Sequence, residues 1–254
     1  MHSFPFGQPI LPVLQRDQSP KDVFVLGVYA SAVHARWVDE DGKESIKAVA
    51  VASEPEIFWS GAGAEEIVAG IELPAGTGRL EAADPQFNGP SGRALDERFL
   101  SPLGIVRGAA WLCDLLPESR CNPSQAEALR RAYAPLQHRL PTYSWPGVPT
   151  TLADERRVSE IADELSRSKA RLLVTLGDLP LRFFARRFGA HGALRAYGTT
   201  ETEYGRPIPI AVNGHRCELL PLAHPRQVAS LGRSSQGWGK LHRAWVERRS
   251  AHRS

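Results

Sequence analysis

Short apolar runs recur along the chain, and each gives way to small or turn-forming residues. They cover residues 22–30, 109–117 and 170–178, and a fourth begins at Leu219 and stops at His224-Pro225. Continuous apolar runs of this length are typical of strands that are covered on both faces of a sheet. We therefore predict four buried strands in these segments.

Helical patterns lie between the predicted strands, in SGRALDERFLSPLG, PSQAEALRRAYAPLQHRL, LADERRVSEIADELSRSKA and DLPLRFFARRFG. Ser124 is the predicted cap of the second helix and Asp154 that of the third, and the fourth is predicted to stop at Gly189. Strands that alternate with helices predict an α/β fold, a three-layer sandwich with a central, mostly parallel sheet flanked by helices. Ligands of such sheets sit at the carboxyl ends of the strands.

Two stretches interrupt this alternation. Residues on either side of Asp41-Gly42 alternate in polarity, which predicts a hairpin. The stretch PTYSWPGVPTT is rich in proline and glycine, which predicts a loop. Because the strand pattern resumes after each stretch, we predict a single domain over residues 1–254.

Composition narrows the class of protein. The chain has 254 residues, of which 42% are hydrophobic and 23% charged, as in an ordinary globular protein. No apolar run approaches the roughly 20 residues that cross a bilayer, and the N-terminus lacks a basic start followed by an apolar core. The three cysteines are scattered, which argues against a disulfide scaffold and against a zinc or iron–sulfur site. We expect a soluble, cytoplasmic protein.

Positive charge is concentrated near the C-terminus. The net charge is only +3, but the stretch RQVASLGRSSQGWGKLHRAWVERRSAHR carries many cations. A local cationic patch of this kind binds polyanions such as nucleic acids. The alternative interpretation is a solvated helix face that ends in a frayed tail.

Four loops at strand ends would converge on such a sheet: residues 27–31, 87–92, 113–114 and 224–226. Their order and content resemble the uracil-DNA glycosylase superfamily, from about Val23 to Trp245. The blocks that carry the resemblance are FNGPSGRALDERFLSPLGIVR, WLCDLLP, LLVTLGDLPLRFF and LAHPRQVASLGRSSQGWGKLHRAW. The resemblance implies a uracil-DNA glycosylase-like domain with insertions near residues 38–84 and 141–153.

The resemblance implies a base-excision enzyme. Such an enzyme flips a deaminated base, most simply uracil, into a pocket and hydrolyses its N-glycosidic bond. It implies a monomer that binds DNA, with no metal, no organic cofactor and no membrane partner. A second hypothesis is a catalytically weakened or inactive DNA-binding protein on the same fold. A third, a protein that binds a free nucleotide, lacks the glycine-rich phosphate loop of the usual spacing.

The resemblance also assigns roles to residues. His224 matches the histidine that donates a hydrogen bond to the departing base, and Phe87 matches the ring on which the flipped base stacks. Gly27, Val28 and Tyr29 would form the pocket floor. The residues that would contact DNA are Ser31, Ser91, Arg226, Ser230, Leu231, Gly232 and Arg233, with Leu231 as the wedge that fills the gap in the stack.

The first motif departs from the family pattern. Family members usually carry an acid or an amide there, but residues 27–31 read GVYAS. The hydroxyls of Tyr29 and Ser31 are candidates to orient water, as is the imidazole of His34, but none carries negative charge at neutral pH. The candidates for a substitute acid are Asp84 and Asp114, whereas Glu54 and Glu56, which flank a proline, are expected to be exposed.

The second departure is Asp114, which stands where many members place an asparagine that reads the pyrimidine edge. An ionised aspartate only accepts hydrogen bonds, so it would repel the O4 atom of uracil. Four interpretations remain open: Asp114 is the missing catalytic acid, it is a protonated reader that imitates the amide, it selects a different base, or it is a structural acceptor for backbone N–H groups.

Overall fold

A computed structural model describes residues 2–229 and 236–251 of the chain. The strands in these ranges are β1 (Val23–Tyr29), β2 (Ala32–Val38), β3 (Glu44–Ser53), β4 (Arg79–Ala82), β5 (Ala110–Leu116), β6 (Leu172–Leu176), β7 (Ile208–Val212) and β8 (His215–Leu222). The α-helices are α1 (Ala64–Ala69), α2 (Pro90–Leu95), α3 (Ser101–Leu103), α4 (Pro123–Ala132), α5 (Glu155–Ser168), α6 (Asp178–Phe183), α7 (Pro225–Val228) and α8 (Gln236–Ala251). A π-helical turn, Asp96–Leu100, joins α2 to α3. Among these elements, no helix combines the length and apolar character needed to span a membrane.

A five-stranded sheet has the order β5-β1-β6-β8-β7. Strand β6 pairs in parallel with β1 and with β8, whereas β7 pairs with β8 in the antiparallel direction. The predicted α/β class with a mostly parallel sheet is confirmed. The four apolar runs of the sequence correspond to β1, β5, β6 and β8.

The apolar runs became strands because both faces of the sheet are covered. Successive side chains of a strand point to opposite faces, and all six residues from Val23 to Val28 are buried. The same holds for the six residues from Ala110 to Leu115. A strand buried on both faces has no position for a solvated side chain, which explains the absence of alternation in these segments.

The second sheet has the order β3-β2-β4 and is antiparallel. The hairpin predicted at Asp41-Gly42 is confirmed, since β2 and β3 pair on either side of this turn. Its core includes aromatic rings from the N-terminal segment: the Phe6 ring lies 5.3 Å from Trp37 and 5.2 Å from Tyr133. Ring pairs at such distances stabilise a core beyond the area that they bury.

The chain forms two compact units. The first comprises Met1–Val13, Tyr29–Arg93 and Pro117–Thr150, and the second Leu14–Val28, Ala94–Leu116 and Thr151–Ser254. The segments predicted as insertions, near residues 38–84 and 141–153, lie in the first unit apart from residues 151–153. The five-stranded sheet belongs to the second unit, with only Tyr29 of β1 assigned to the first.

Helix caps agree with the sequence in one case and differ in another. The Asp154 side chain accepts a hydrogen bond from the Arg157 N–H at 2.8 Å, so the predicted cap of α5 is confirmed. The predicted cap Ser124 is wrong: Asn122 caps α4, accepting from the Gln125 N–H at 3.0 Å. Pro123 occupies the first helical turn, where its missing N–H costs nothing, and this moves the cap to the preceding residue.

Candidate active site

The carboxyl ends of four strands in the second unit lie at one edge of the sheet. Strands β1, β6 and β8 are parallel to one another. The Asp22 N–H donates to the Ala109 carbonyl at 3.0 Å, so β5 begins beside β1 and runs in the same direction. This edge therefore carries Gly27 and Val28 from β1, Asp114 from β5, Gly177 after β6 and His224 after β8.

His224 is a neutral hydrogen-bond donor at this edge. Its Nδ1 atom accepts from the Arg226 backbone N–H at 3.2 Å, which caps α7. Burial and, to a smaller extent, the nearby Arg226 charge lower the pKa of His224 to about 4. At pH 7 the imidazole is therefore neutral, and because Nδ1 is an acceptor, the ring proton lies on Nε2. The strand thus ends on a histidine of fixed tautomer, whose Nε2–H has no recorded partner in residues 2–229 and 236–251.

The absence of a side chain at Gly177 leaves space for the His224 side chain. A Cβ atom at Gly177 would lie 3.0 Å from the His224 Cβ, and the Gly177 φ of +88° disfavours any other residue. The Gly177 N–H donates to the Leu222 carbonyl at 2.7 Å, which ties the ends of β6 and β8 together. Gly177 was not among the predicted site residues, although a glycine directly after a buried strand was the available signal.

A chain of hydrogen bonds holds the strand end that carries His224. The Tyr204 Oη accepts from the Ala223 N–H at 2.8 Å, and the His242 ring bonds Tyr204 through Nδ1 at 2.9 Å and the Arg98 carbonyl through Nε2 at 2.9 Å. A carbonyl only accepts, so His242 donates from Nε2 and Tyr204 donates to Nδ1. Burial lowers the pKa of His242 to about 4, which keeps the ring neutral.

Tyr204→Phe is expected to destabilise the fold by roughly 1–3 kcal/mol, because it leaves the buried Ala223 N–H and His242 Nδ1 without a partner. Both Tyr204 and His242 are only 1% exposed, so water does not replace the hydroxyl. The measurement is urea unfolding at pH 7. Tyr197→Phe is the control, since the Tyr197 hydroxyl donates to a carbonyl at a more open site. Equal stability of the two variants would contradict the expected role of Tyr204.

Asp114 is a buried carboxyl group at the same edge, with 4% of its surface exposed. Within residues 2–229 and 236–251, no donor hydrogen-bonds its carboxyl oxygens, although its backbone carbonyl accepts from Arg157 at 2.7 Å. Burial raises the pKa of Asp114 to about 7, against the opposing effect of the Arg157 charge. The described residues thus give no support to a structural acceptor. The other three interpretations remain open.

Arg157 fixes the backbone around Asp114. This buried guanidinium donates to the carbonyls of Asp114 and Leu115, and it pairs with Glu164 at 3.3 Å. Glu164 in turn accepts from the indole N–H of Trp111 at 3.0 Å. Arg157 was not predicted, although its place on the apolar face of α5, four residues before Ile161, was a usable signal.

The Phe87 loop lies in the first unit. Phe87 is only partly buried, so it is not a core phenylalanine, and Lys47 Nζ lies 5.5 Å from the ring centroid. The neighbouring Asn88 is buried and anchors the loop: it accepts from the His34 N–H at 2.8 Å and donates to the His34 carbonyl at 3.0 Å. At Gly89, whose φ is +69°, a side chain would collide with the Ser60 backbone. The loop thus holds Phe87 at the surface on a rigid base.

The burial of Glu54 differs from the prediction. Glu54 was expected to be exposed, but only 4% of its surface is accessible. Its Oε1 atom accepts from the Ser31 N–H at 3.0 Å. The reason is the register of the hairpin: Ala32 pairs with Ser53, which brings Glu54, the residue directly after β3, opposite Ser31. Glu56, by contrast, is exposed as expected.

The other candidates near the first motif are placed as follows. Asp84 is exposed, and its carboxylate accepts from the Gln86 N–H in a tight turn. Burial lowers the pKa of His34 to about 4, and its Nδ1 atom is buried without a hydrogen-bond partner in the described part of the chain. A neutral imidazole and an exposed acid offer the motif no buried negative charge.

The predicted DNA-contacting residues fall into two groups. Tyr29, Ser31 and Ser91 are partly exposed, and Arg226 is exposed. Ser230, Leu231, Gly232 and Arg233 lie outside the described residues. In the described ranges, no group of three or more histidine, cysteine, aspartate or glutamate side chains is arranged to hold a metal ion.

A surface depression of about 450 Å³ lies elsewhere in the second unit. Its lining consists of residues 199–202 with Gly237, Lys240 and Leu241. Because none of the predicted site residues lines it, the depression is not the predicted base pocket.

The chain matches no model of a known protein family, and no curated protein matches it. A functional conclusion therefore depends on the residues themselves, above all on the neutral His224 and the buried Asp114 at one edge of a parallel sheet.

Proposed function

We propose that this protein is a monofunctional DNA glycosylase with a uracil-DNA glycosylase-like arrangement of sheet and helices. It flips a deaminated base, most simply uracil, out of the DNA stack and hydrolyses its N-glycosidic bond. The observation that carries the proposal is His224, a neutral imidazole at the carboxyl edge of the sheet whose Nε2–H has no partner in the described part of the chain.

The chemistry of the bond explains why such a donor matters. As the N-glycosidic bond breaks, negative charge develops on the base and positive charge on the sugar. A fixed donor aimed at the base carbonyl stabilises the developing anion without reorganisation. Because the pKa of His224 is about 4, the donor stays in one protonation state throughout the physiological pH range.

Asp114 serves in this proposal as the reader of the base edge. With a pKa of about 7, its carboxyl group is substantially protonated near neutral pH. A protonated carboxyl group donates to O4 of uracil and accepts from N3–H, as an asparagine amide does. The absence of a described donor to its carboxyl oxygens leaves both of them for the base.

In this proposal, Phe87 contacts the flipped base, and Ser31, Ser91 and Arg226 contact the DNA backbone. A partly exposed ring next to a lysine suits a flipped base, since stacking is worth roughly 1–3 kcal/mol and tolerates any base. Ser31, Ser91 and Arg226 bind phosphates, and residues 230–233 belong to the segment that the resemblance assigns to the minor groove. The partner is DNA, bound by a single copy of the chain.

A binding protein on the same fold is the second candidate. It is favoured by the absence of any carboxylate or amide in residues 27–31. Such a protein would hold flipped or damaged bases without turnover.

An abasic-site assay separates the two candidates. Oligonucleotides that contain uracil, hypoxanthine, xanthine or hydroxymethyluracil, each single- and double-stranded, are incubated with the protein and cleaved with alkali. We expect release of at least one of these bases. Tight binding without release on every substrate would favour the binding protein and reject the enzyme.

A salt series tests whether the ligand is DNA. Two phosphates neutralised by Arg226 and Arg233 predict a loss of affinity of about 12-fold between 50 mM and 200 mM salt, because each ionic contact releases condensed counterions. Fluorescence anisotropy of a labelled oligonucleotide measures the affinity. A flat response to salt would argue for a small-molecule ligand instead.

A further inference from the structure

We propose that three arginines of the second unit, Arg182, Arg186 and Arg195, form a further DNA-binding surface, the arginine surface, which binds backbone phosphates. None of them is among the DNA-contacting residues that were predicted from the sequence. The inference rests on the DNA partner of the proposed function and deepens it, because it names a part of the protein against which the duplex lies.

The segment that carries these arginines is strongly cationic. Residues 179–200 contain four arginines and one histidine, but no aspartate and no glutamate. The four positive charges of this segment exceed the net charge of the whole chain, which is +3. Positive charge that is concentrated in one segment creates a local field that attracts polyanions such as DNA.

The charges of the arginine surface are not neutralised within the described part of the chain. The fourth arginine of the segment, Arg187, pairs with Glu155 at 2.7 Å. The side chains of Arg182, Arg186 and Arg195 are exposed, and among the described residues they make no hydrogen bond or ion pair. Their guanidinium groups are therefore available to an external anion, and the planar fork of a guanidinium matches two oxygens of a phosphate.

A turn at Gly192 brings the arginines close together. A Cβ atom at Gly192 would lie 3.2 Å from the Arg186 Cδ and 3.5 Å from the Arg182 Cα. The missing side chain thus leaves space for the aliphatic part of Arg186, which packs against the turn. Because this part is already packed, Arg186 loses less conformational freedom when it binds a phosphate. Arg195 follows three residues after Gly192, in the 3₁₀ turn Leu194–Tyr197.

The same segment is tied to the edge of the sheet that carries His224. The N–H of Leu194, the residue before Arg195, donates to the Asp178 carboxylate at 2.8 Å. Asp178 is the first residue of α6 and directly follows Gly177, where a Cβ atom would lie 3.0 Å from the His224 Cβ. The arginine surface is therefore connected to His224 through direct contacts within the second unit.

Phosphate contacts at this place have a clear consequence for the proposed reaction. They fix the position of the duplex without reading its sequence, so they serve any base that is flipped. Since the arginine surface adjoins the edge that carries His224, a duplex bound there is held next to the group that stabilises the departing base.

The triple variant Arg182→Gln/Arg186→Gln/Arg195→Gln tests the inference by the salt dependence of DNA affinity. Each lost ionic contact lowers the slope of log affinity against log salt by about 0.9, so we expect a slope that is smaller by about 2.7. The ratio of wild-type to variant affinity should then fall about 40-fold between 50 mM and 200 mM salt. For wild type, the arginine surface raises the 12-fold loss expected from two contacts to about 500-fold. Fluorescence anisotropy of a labelled duplex that contains uracil measures these affinities.

The matched control removes three positive charges from the opposite edge of the same sheet. Lys169 and Arg171 precede β6, Arg216 lies at the start of β8, and all three are exposed. The variant Lys169→Gln/Arg171→Gln/Arg216→Gln should keep the salt slope within about 0.5 of wild type. Equal effects of the two triple variants would mean that net charge, and not a defined surface, governs binding, and would overturn the inference.

Far-UV circular dichroism and urea unfolding check that both triple variants fold. Should the variant of the arginine surface not fold, the single variant Arg195→Gln decides. A slope that is smaller by about 0.9 supports the inference, and an unchanged slope overturns it.

Failure of the inference is distinct from failure of the proposed function. If wild type releases a base and the variant of the arginine surface keeps the wild-type salt slope, the arginines do not contact DNA and the glycosylase function stands. If wild type releases no base but the variant lowers the slope as expected, the glycosylase function is wrong and the arginine surface stands. A wild-type protein that binds no DNA overturns both.

Discussion

His224→Ala is expected to slow base release by about 10²–10³-fold, the usual cost of removing one donor to a developing anion. The imidazole Nε2–H is the donor, and the position of its proton on Nε2 follows from the bond that Nδ1 accepts from the Arg226 N–H. Single-turnover release of the preferred base measures the rate, and anisotropy measures DNA affinity. We expect affinity to change by less than tenfold, because phosphate contacts dominate it.

His138→Ala is the control, since His138 is exposed and lies in the first unit. The wild-type rate should show no loss from protonation of His224 between pH 5 and 8, because the pKa of His224 is about 4. A His224→Ala variant that releases base as fast as wild type would remove His224 from the chemistry.

Asp114→Asn is expected to stabilise the protein at pH 8 by about 4 kcal/mol, since each pKa unit corresponds to about 1.4 kcal/mol. Burial raises the pKa of Asp114 from 3.8 to about 7 in the folded state. The folded chain therefore binds a proton that the unfolded chain releases between these pH values. The stability contributed by Asp114 is fully present below pH 4 and is lost as pH rises through 7, so the gain of the variant should vanish towards pH 4.

Urea unfolding at pH 4, 6 and 8 measures this difference, with Asp163→Asn as the control because Asp163 is exposed on α5. The same variant tests the reader role: an asparagine should retain uracil release and extend it to pH 8, where the ionised Asp114 repels O4. Loss of release in a folded Asp114→Asn protein would identify Asp114 as the catalytic acid instead. A stability difference independent of pH would contradict the raised pKa.

The parts of the fold that were predictable depend on local patterns. Strands β1, β5, β6 and β8 were found because continuous apolar runs have few alternatives in a sheet covered on both faces. Strand β7 was not predicted: it is an antiparallel edge strand of five residues that includes Pro209, and its exposed positions weaken the pattern. The cap of α4 was predicted at Ser124, two residues too late. Pro123 is the first residue of that helix, so the cap is the residue before it, Asn122.

Site residues could be predicted only where the residue type and its place at the end of an apolar run together indicate a chemical role. His224 and Asp114 follow from a histidine or an aspartate at the end of an apolar run. The burial of Glu54 does not follow from a local pattern, because it depends on how β2 and β3 are registered. Tyr204 likewise gains its role from two distant partners, Ala223 and His242, and neither is visible in the sequence around it.

The most direct test of the central claim is a crystal structure of the protein bound to duplex DNA that contains 2′-fluoro-deoxyuridine, whose fluorine resists formation of the sugar cation. The account predicts an extruded uracil that accepts from His224 Nε2 at a hydrogen-bond distance and meets the carboxyl group of Asp114. A uracil that stays stacked in the duplex, or one bound away from His224, would contradict it.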